Sequence, residues 1–186
     1  MTTTTNTLAT TTGTWVIDQA HTTIGFSARH AVVAKTRGKF SGFSGTLVLD
    51  AENVAGSKID VTIQAASFDS GNADRDAHIK SADFLDAETY PTLTFVSTGL
   101  RHKGGNEFEV EGDLSIHGVT KSVTIAAEFT GNATDPYGNQ KIGFEGKASI
   151  SRKDFGLTWN VVLEAGGVMV SDHITIELDV EADKQV

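Results

Sequence analysis

From Trp15 to Val180 the apolar residues of this chain recur at every second position, run after run. Period two puts successive side chains on opposite faces of a strand, so each run buries one face and leaves the other to solvent. Ile24, Phe26 and Ala28 share a face, as do Leu47 and Leu49, then Ile59, Val61, Ile63 and Ala65. Leu93 and Phe95 follow, then Phe108, Val110, Leu114 and Ile116, and then Val123, Ile125, Ala127 and Phe129. The last runs are Ile142, Phe144, Ala148 and Ile150, then Trp159, Val161 and Leu163, then Ile174, Ile176, Leu178 and Val180. Turn strings separate several of them: "KGGNE" at 103–107, "HGVT" at 117–120 and "DPYGN" at 135–139 supply the Gly, Asn and Pro dihedrals of short links. Short links imply an antiparallel meander, and no internal repeat points to a propeller or solenoid. One-sided strands in this number close most economically into a barrel, which removes exposed edges. The expected fold is all-β, an eight-stranded antiparallel barrel with one or two short flanking helical segments.

The period breaks in two places. Between Asp74 and Thr89 the residues Ala77, Ile79, Ala82, Phe84 and Leu85 fit helical spacing, and Tyr90-Pro91 ends the segment. Asp76 and Asp83 are the expected caps of its turns. A second helical turn is expected at "SRKDFG", with the Ser151 hydroxyl as cap and Gly156 as stop. A chain of 186 residues suits a single domain. Its expected limits are a flexible Thr-rich tail at 1–13, the barrel at 14–182 and a short C-terminal tail at 183–186.

Net charge is −9 and there is no cysteine. The first opposes a polyanionic partner, so nucleic acid is not expected; the second removes disulfides, thiolate nucleophiles and cysteine metal sites. The opening "MTTTTNTLATTTG" carries neither the basic start nor the apolar run of a signal peptide, and no segment has the length of a membrane span. A cytoplasmic location is the expectation.

The oxygen-bearing residues Asn72, Asp74, Asp76 and Asp83 approximate a calcium loop, but Ala77 stands where Gly is required and Lys80 at a ligand position. The six histidines are scattered without metal-ligand spacing, so no metal is expected. No G-x-S-x-G elbow or phosphate-binding loop is present. A local imbalance of charge is more informative. Between Gln19 and Leu49 there is no acid, while Arg29, His30, Lys35, Arg37 and Lys39 cluster, which suits a rim that attracts an anionic head group. A lumen lined by Phe26, Phe95, Phe144 and Trp159 suits an apolar pocket, and the alternation alone is equally compatible with a filled barrel.

Five strings then converge. "WVIDQAHTTIGF" from Trp15, "RGKFSGFSG" from Arg37, "SFDSGNADRDAHIKSADFLDAETYPTLTF" from Ser67, "GDLSIHGVT" from Gly112, and "ISRKDFGLTWN" with "LEAGGVMVSDHITI" from Ile150 resemble the YceI-like, polyisoprenoid-binding family, in family order and over nearly the whole chain. The resemblance implies a lipocalin-like barrel that binds a long apolar amphiphile, such as a polyisoprenoid, prenyl phosphate or quinone-like lipid, as carrier or storage protein, with no catalytic activity and no cofactor beyond that ligand. Many members are periplasmic or secreted, and a homodimer is compatible with the family. The lumen positions expected to meet the ligand are Ile24, Phe26, Leu47, Ile63, Phe84, Phe95, Leu114, Phe144, Trp159 and Val161. Head-group candidates, chosen by charge and placement, are His30, Arg37, Arg75 and His78. The competing readings are an enzyme using His30 or His78 as acid or base, and a filled-barrel structural or interaction module.

Overall fold

The computed structural model describes residues 8–31 and 33–185. Its strands are β1 (Gly13–Ile17), β2 (Thr23–His30), β3 (Ala34–Phe40), β4 (Phe43–Leu49), β5 (Lys58–Gln64), β6 (Phe68–Asp69), β7 (Thr92–Gly104), β8 (Glu107–Ile116), β9 (Val119–Thr134), β10 (Gln140–Ser151) and β11 (Val170–Lys184). One helix, α1 (Ala73–Lys80), interrupts them. Three passes of the chain are bent, β1 running on into β2, β3 into β4 and β5 into β6, so the eleven strands make eight passes. Each pass pairs antiparallel with the next, and β11 closes the ring by pairing with both β2 and β1. The fold is thus the expected closed, eight-stranded antiparallel barrel.

The three bends lie side by side. At the first, the Thr22 hydroxyl donates to the Glu181 carbonyl (3.1 Å) and accepts from the Glu181 N–H (3.0 Å), replacing the ladder partner that the bend removes. Gln19 donates to the Ser41 carbonyl at the second bend (2.6 Å), and the Ser41 N–H donates to Ser67 at the third (3.2 Å). Beyond this line β6 pairs with β3 alone, so no ladder joins β6 to β7. Helix α1 and the turns after it occupy that seam. Their backbone hydrogen bonds close within residues 72–90 among the described residues, as in Leu85 N–H to Ile79 O (2.9 Å) and Tyr90 N–H to Asp86 O (2.8 Å).

Local chemistry explains the links. His117 and Gly118 both take positive φ (53° and 73°) between the paired Ile116 and Val119, the two-residue primed turn that matches strand twist. The short helix expected near Asp74–Thr89 is α1, and Asn72 caps it by accepting from the Arg75 N–H (2.9 Å). Asp76 and Asp83 cap nothing: Asp76 accepts from the Ser70 N–H (2.9 Å), and Asp83 pairs with His78. The turn at "SRKDFG" is a 3₁₀ helix, Arg152–Phe155, ended by Gly156 at φ 78°. Its cap is Asp172 rather than Ser151, for the carboxylate accepts from both the Ser151 hydroxyl (2.9 Å) and the Lys153 N–H (3.2 Å).

Two further expectations are corrected. Trp159, Val161 and Leu163 form no barrel strand. Residues 157–169 instead make an excursion in which only Val162 and Val168 bridge, because the eight passes already close the ring and leave no free edge for a ninth. The tail limits also move. Leu8–Thr11 is a 3₁₀ turn whose Thr11 carbonyl accepts from the buried Trp15 indole N–H (2.7 Å), and Thr12 Oγ1 accepts from the Ala51 N–H (3.0 Å). A buried indole requires an acceptor, and the preceding chain supplies it. At the other end Lys184 still pairs with Trp15, so β11 outruns residue 182. The rest of the expected tails, residues 1–7 and Val186, lies outside the described residues.

Candidate ligand cavity

Inside the barrel is a cavity of about 630 Å³, and its wall is overwhelmingly apolar. It reaches from the α1 end, at His30 and Trp159, to Val54 and Ser57 at the other end. The volume falls in the range of sites that enclose a small organic ligand. Strand alternation builds the wall: β2 presents Ile24 and Phe26, β4 Leu47, β5 Ile63, β7 Phe95, β8 Leu114 and β10 Phe144. Phe84 enters from the seam and Trp159 from the excursion. Val161 is the one expected lumen residue outside the wall. It is 40% exposed, because residues 157–169 are no strand and do not carry it over the cavity.

The mouth is framed by aromatic edges. The His78 ring stands edge-on to Trp159 (4.5 Å between centroids) and to Phe84 (5.1 Å), and Phe84 lies 5.3 Å from Trp159. His78 is held by Asp83 (Nε2 to Oδ2, 2.9 Å). Arg75 folds its Nε onto the Ser70 hydroxyl (2.7 Å) and an Nη onto the Ser70 carbonyl (3.0 Å). His30, Arg75 and His78 all border the cavity, with Arg29 and Asp74 beside them. Arg37 does not. It is paired with Ser27 on the outward face of β3, while its neighbour Thr36 points to the lumen. Three of the four oxygen-bearing residues of the calcium-like string are engaged in shaping this segment: Asn72 in the cap, Asp76 with Ser70, Asp83 with His78. The Ser70 hydroxyl is the main reason the Asp76 carboxyl sits below its ordinary range.

A residue not nominated from sequence lies beneath the mouth. Arg152 is 2% exposed, borders the cavity and donates to four carbonyls: Ser171 (2.9 Å), Leu157 (2.6 Å), Trp159 (2.9 Å) and Val170 (3.3 Å). Burial lowers its pKa, opposed by the charge of Asp172. The carbonyls belong to both ends of the excursion, so one guanidinium fixes where Trp159 stands. The signal available in sequence was an Arg at the end of an apolar run, which reads equally as a surface residue.

A second polar cluster sits on the outer wall at the first bend. Asp18, His21 and Glu181 bring their ligand-type atoms together, but the Lys141 ammonium occupies the same ground, 2.8 Å from Glu181, 3.3 Å from Asp18 and 2.6 Å from Asp183. The hydrogen bond from His21 is the largest cause holding the Asp18 carboxyl at about 2.

Comparison with known proteins agrees with this architecture. The model of the YceI-like domain matches residues 15–182. A UPF0312 protein of Vibrio vulnificus is 41% identical over 174 residues, covering 92% of this chain and 87% of its own. The crystal structure of Burkholderia cenocepacia BcnA superposes with a TM-score of 0.77 at 28% identity, over 89% of this chain and 98% of that one. A polyisoprenoid-binding domain from Saccharophagus degradans, implicated in plant cell wall breakdown, shares the fold with a TM-score of 0.68 at 14% identity, over 92% and 98% of the two chains. With a match that spans the barrel from first strand to last, the chain belongs to the YceI-like family.

Proposed function

We propose that this protein binds a long apolar amphiphile in its barrel, as a carrier or store of a polyisoprenoid, prenyl phosphate or quinone-like lipid. The observation that carries the proposal is the apolar cavity of about 630 Å³ running along the barrel interior. Each methylene that leaves water contributes about 0.8 kcal/mol, so an extended hydrocarbon gains affinity along the whole wall without needing specific polar contacts. At the mouth, His30, Arg75 and His78 suit an anionic or carbonyl head group. The polyisoprenoid-binding domain that shares the fold supports the same class of ligand. Binding rather than turnover fits the surroundings of His78, which is clamped between two aromatic rings and a carboxylate as part of the wall.

Native mass spectrometry of protein purified without detergent tests this reading. A co-purified hydrophobic mass, or stoichiometric uptake of prenyl phosphate or quinone, is the expected result. A clean apo mass that takes up neither would defeat it.

A further inference from the structure

We propose that the mouth of the barrel docks on an anionic lipid bilayer, with the valines of its two protruding connections entering the headgroup region. The inference rests on the cavity reading above, since an occupant insoluble in water is exchanged with a lipid phase. Two connections project side by side at the α1 end. One is the β2–β3 tip; the other is the 157–169 excursion. The Ala31 N–H donates to the Met169 carbonyl (2.8 Å), and the Met169 N–H to that of Val161 (2.9 Å). Together they present Val33 at 86% exposure, Val162 at 79%, and Val161 and Val168 at 40% each. Among the described residues the other large exposed apolar side chains are dispersed: Val16, Val48 and Val96 lie along strands, and Tyr137 is on the β9–β10 turn at the opposite end. His30 and Met169 connect the patch to the cavity wall.

Charge selects the occupant. Arg29 stands opposite Lys35 across the β2–β3 ladder, and Arg37 and Lys39 continue the same outward face. Facing like charges repel, yet among the described residues none of these four cations makes an ion pair. Of the acids on the adjacent β11, Asp172 lies at the mouth end but is taken up by the Ser151 hydroxyl and the Lys153 N–H, and Glu177 and Asp179 stand opposite Gly25 and Thr23, further from the mouth. Asp69 stands opposite Lys39 at the inner end of the row, and Glu164 is the single acid of the excursion. In a chain of net charge −9, unpaired cations therefore border an apolar tip at the cavity entrance. Valines that partition into the interface and cations that meet lipid phosphates are the two elements that peripheral membrane binding requires.

The test is flotation of the full chain with vesicles of phosphatidylcholine, alone or containing about one-third phosphatidylglycerol. The protein is expected to float with the anionic vesicles and to be released by high salt, which screens the contact. Val33→Asp with Val162→Asp is expected to lower the bound fraction about tenfold. Lys35→Glu is expected to lower it as well and to flatten the salt dependence, whereas Tyr137→Asp at the far end leaves it unchanged. Circular dichroism establishes that each variant is folded, and loading of a fluorescent prenyl probe without vesicles separates the two readings. Normal loading with vesicle binding unaffected by the valine and Lys35 substitutions would overturn docking alone; absent loading would overturn the cavity reading. If sedimentation shows that the valine substitutions abolish a dimer and change nothing at vesicles, the patch is a contact between copies and the proposal fails.

Discussion

A guanidinium at 2% exposure beside an apolar cavity is tolerated because its N–H groups reach four carbonyls. Arg152→Met removes the donors from those carbonyls, of which Val170 keeps the Asn160 amide (2.7 Å), at a cost of about 3 kcal/mol. Urea denaturation should show that loss, and hydrogen exchange should show residues 157–170 opening first. Arg152→Lys is expected to recover less than half of it, because an ammonium cannot reproduce the planar fork. On the outer wall the pH dependence has a definite sign. Asp18 is lowered from 3.8 to about 2, so its contribution to stability is present above about pH 4 and disappears as pH falls through 2. His21 is raised from 6.5 by the same contact, so its contribution is complete below that value and disappears as pH rises through its folded pKa. Asp18→Asn should reduce the acid-side loss of stability in thermal melts between pH 4 and 2, the share of the other lowered carboxylates remaining, and should return the His21 NMR titration towards its ordinary midpoint. Both residues were hard to read in advance. Beside nearby partners, Arg152 reaches the Ser171 carbonyl 19 residues away and Asp18 the Lys141 ammonium 123 residues away, and no local pattern encodes those distances.

At the scale of elements, whatever depends on neighbours in sequence was legible. The "HGVT" string specified the β8–β9 turn, and the alternating runs specified the inward faces of β5, β7, β8, β9 and β10. Gly118 is required twice over, by its φ of 73° and because a Cβ there would lie 2.6 Å from the Tyr90 ring. Gly118→Ala is therefore expected to lower stability by about 1–2 kcal/mol, read as a lower thermal midpoint. What escaped was contextual. Trp159, Val161 and Leu163 alternate as well as any strand, but a ring already closed offers them no edge. The bends escaped because the Thr22 hydroxyl substitutes for a ladder partner on a strand 159 residues away. Leu8–Thr11 escaped because threonine-rich composition conceals the need of one buried indole for a carbonyl.

For the molecule as a whole, closure of the ring was legible and the hollow within it was not. Inward alternation is identical in a filled and a hollow barrel; the difference lies in side-chain volumes summed across eight passes. Ala127, half-buried on the cavity wall, provides a direct probe. Ala127→Phe should place a ring in the space a ligand would use, reducing uptake of a fluorescent prenyl probe by more than tenfold while the thermal midpoint holds or rises. The seam between β6 and β7 gives this vessel a further property. The eight residues of α1 and the turns behind them bond to Ser70 and to one another, so displacing them breaks no rung of the ladder. For the guest proposed above, admission through the seam and collapse of the container would then face separate barriers: a short plug would set how often the vessel is unstoppered, and the closed ring how long it lasts.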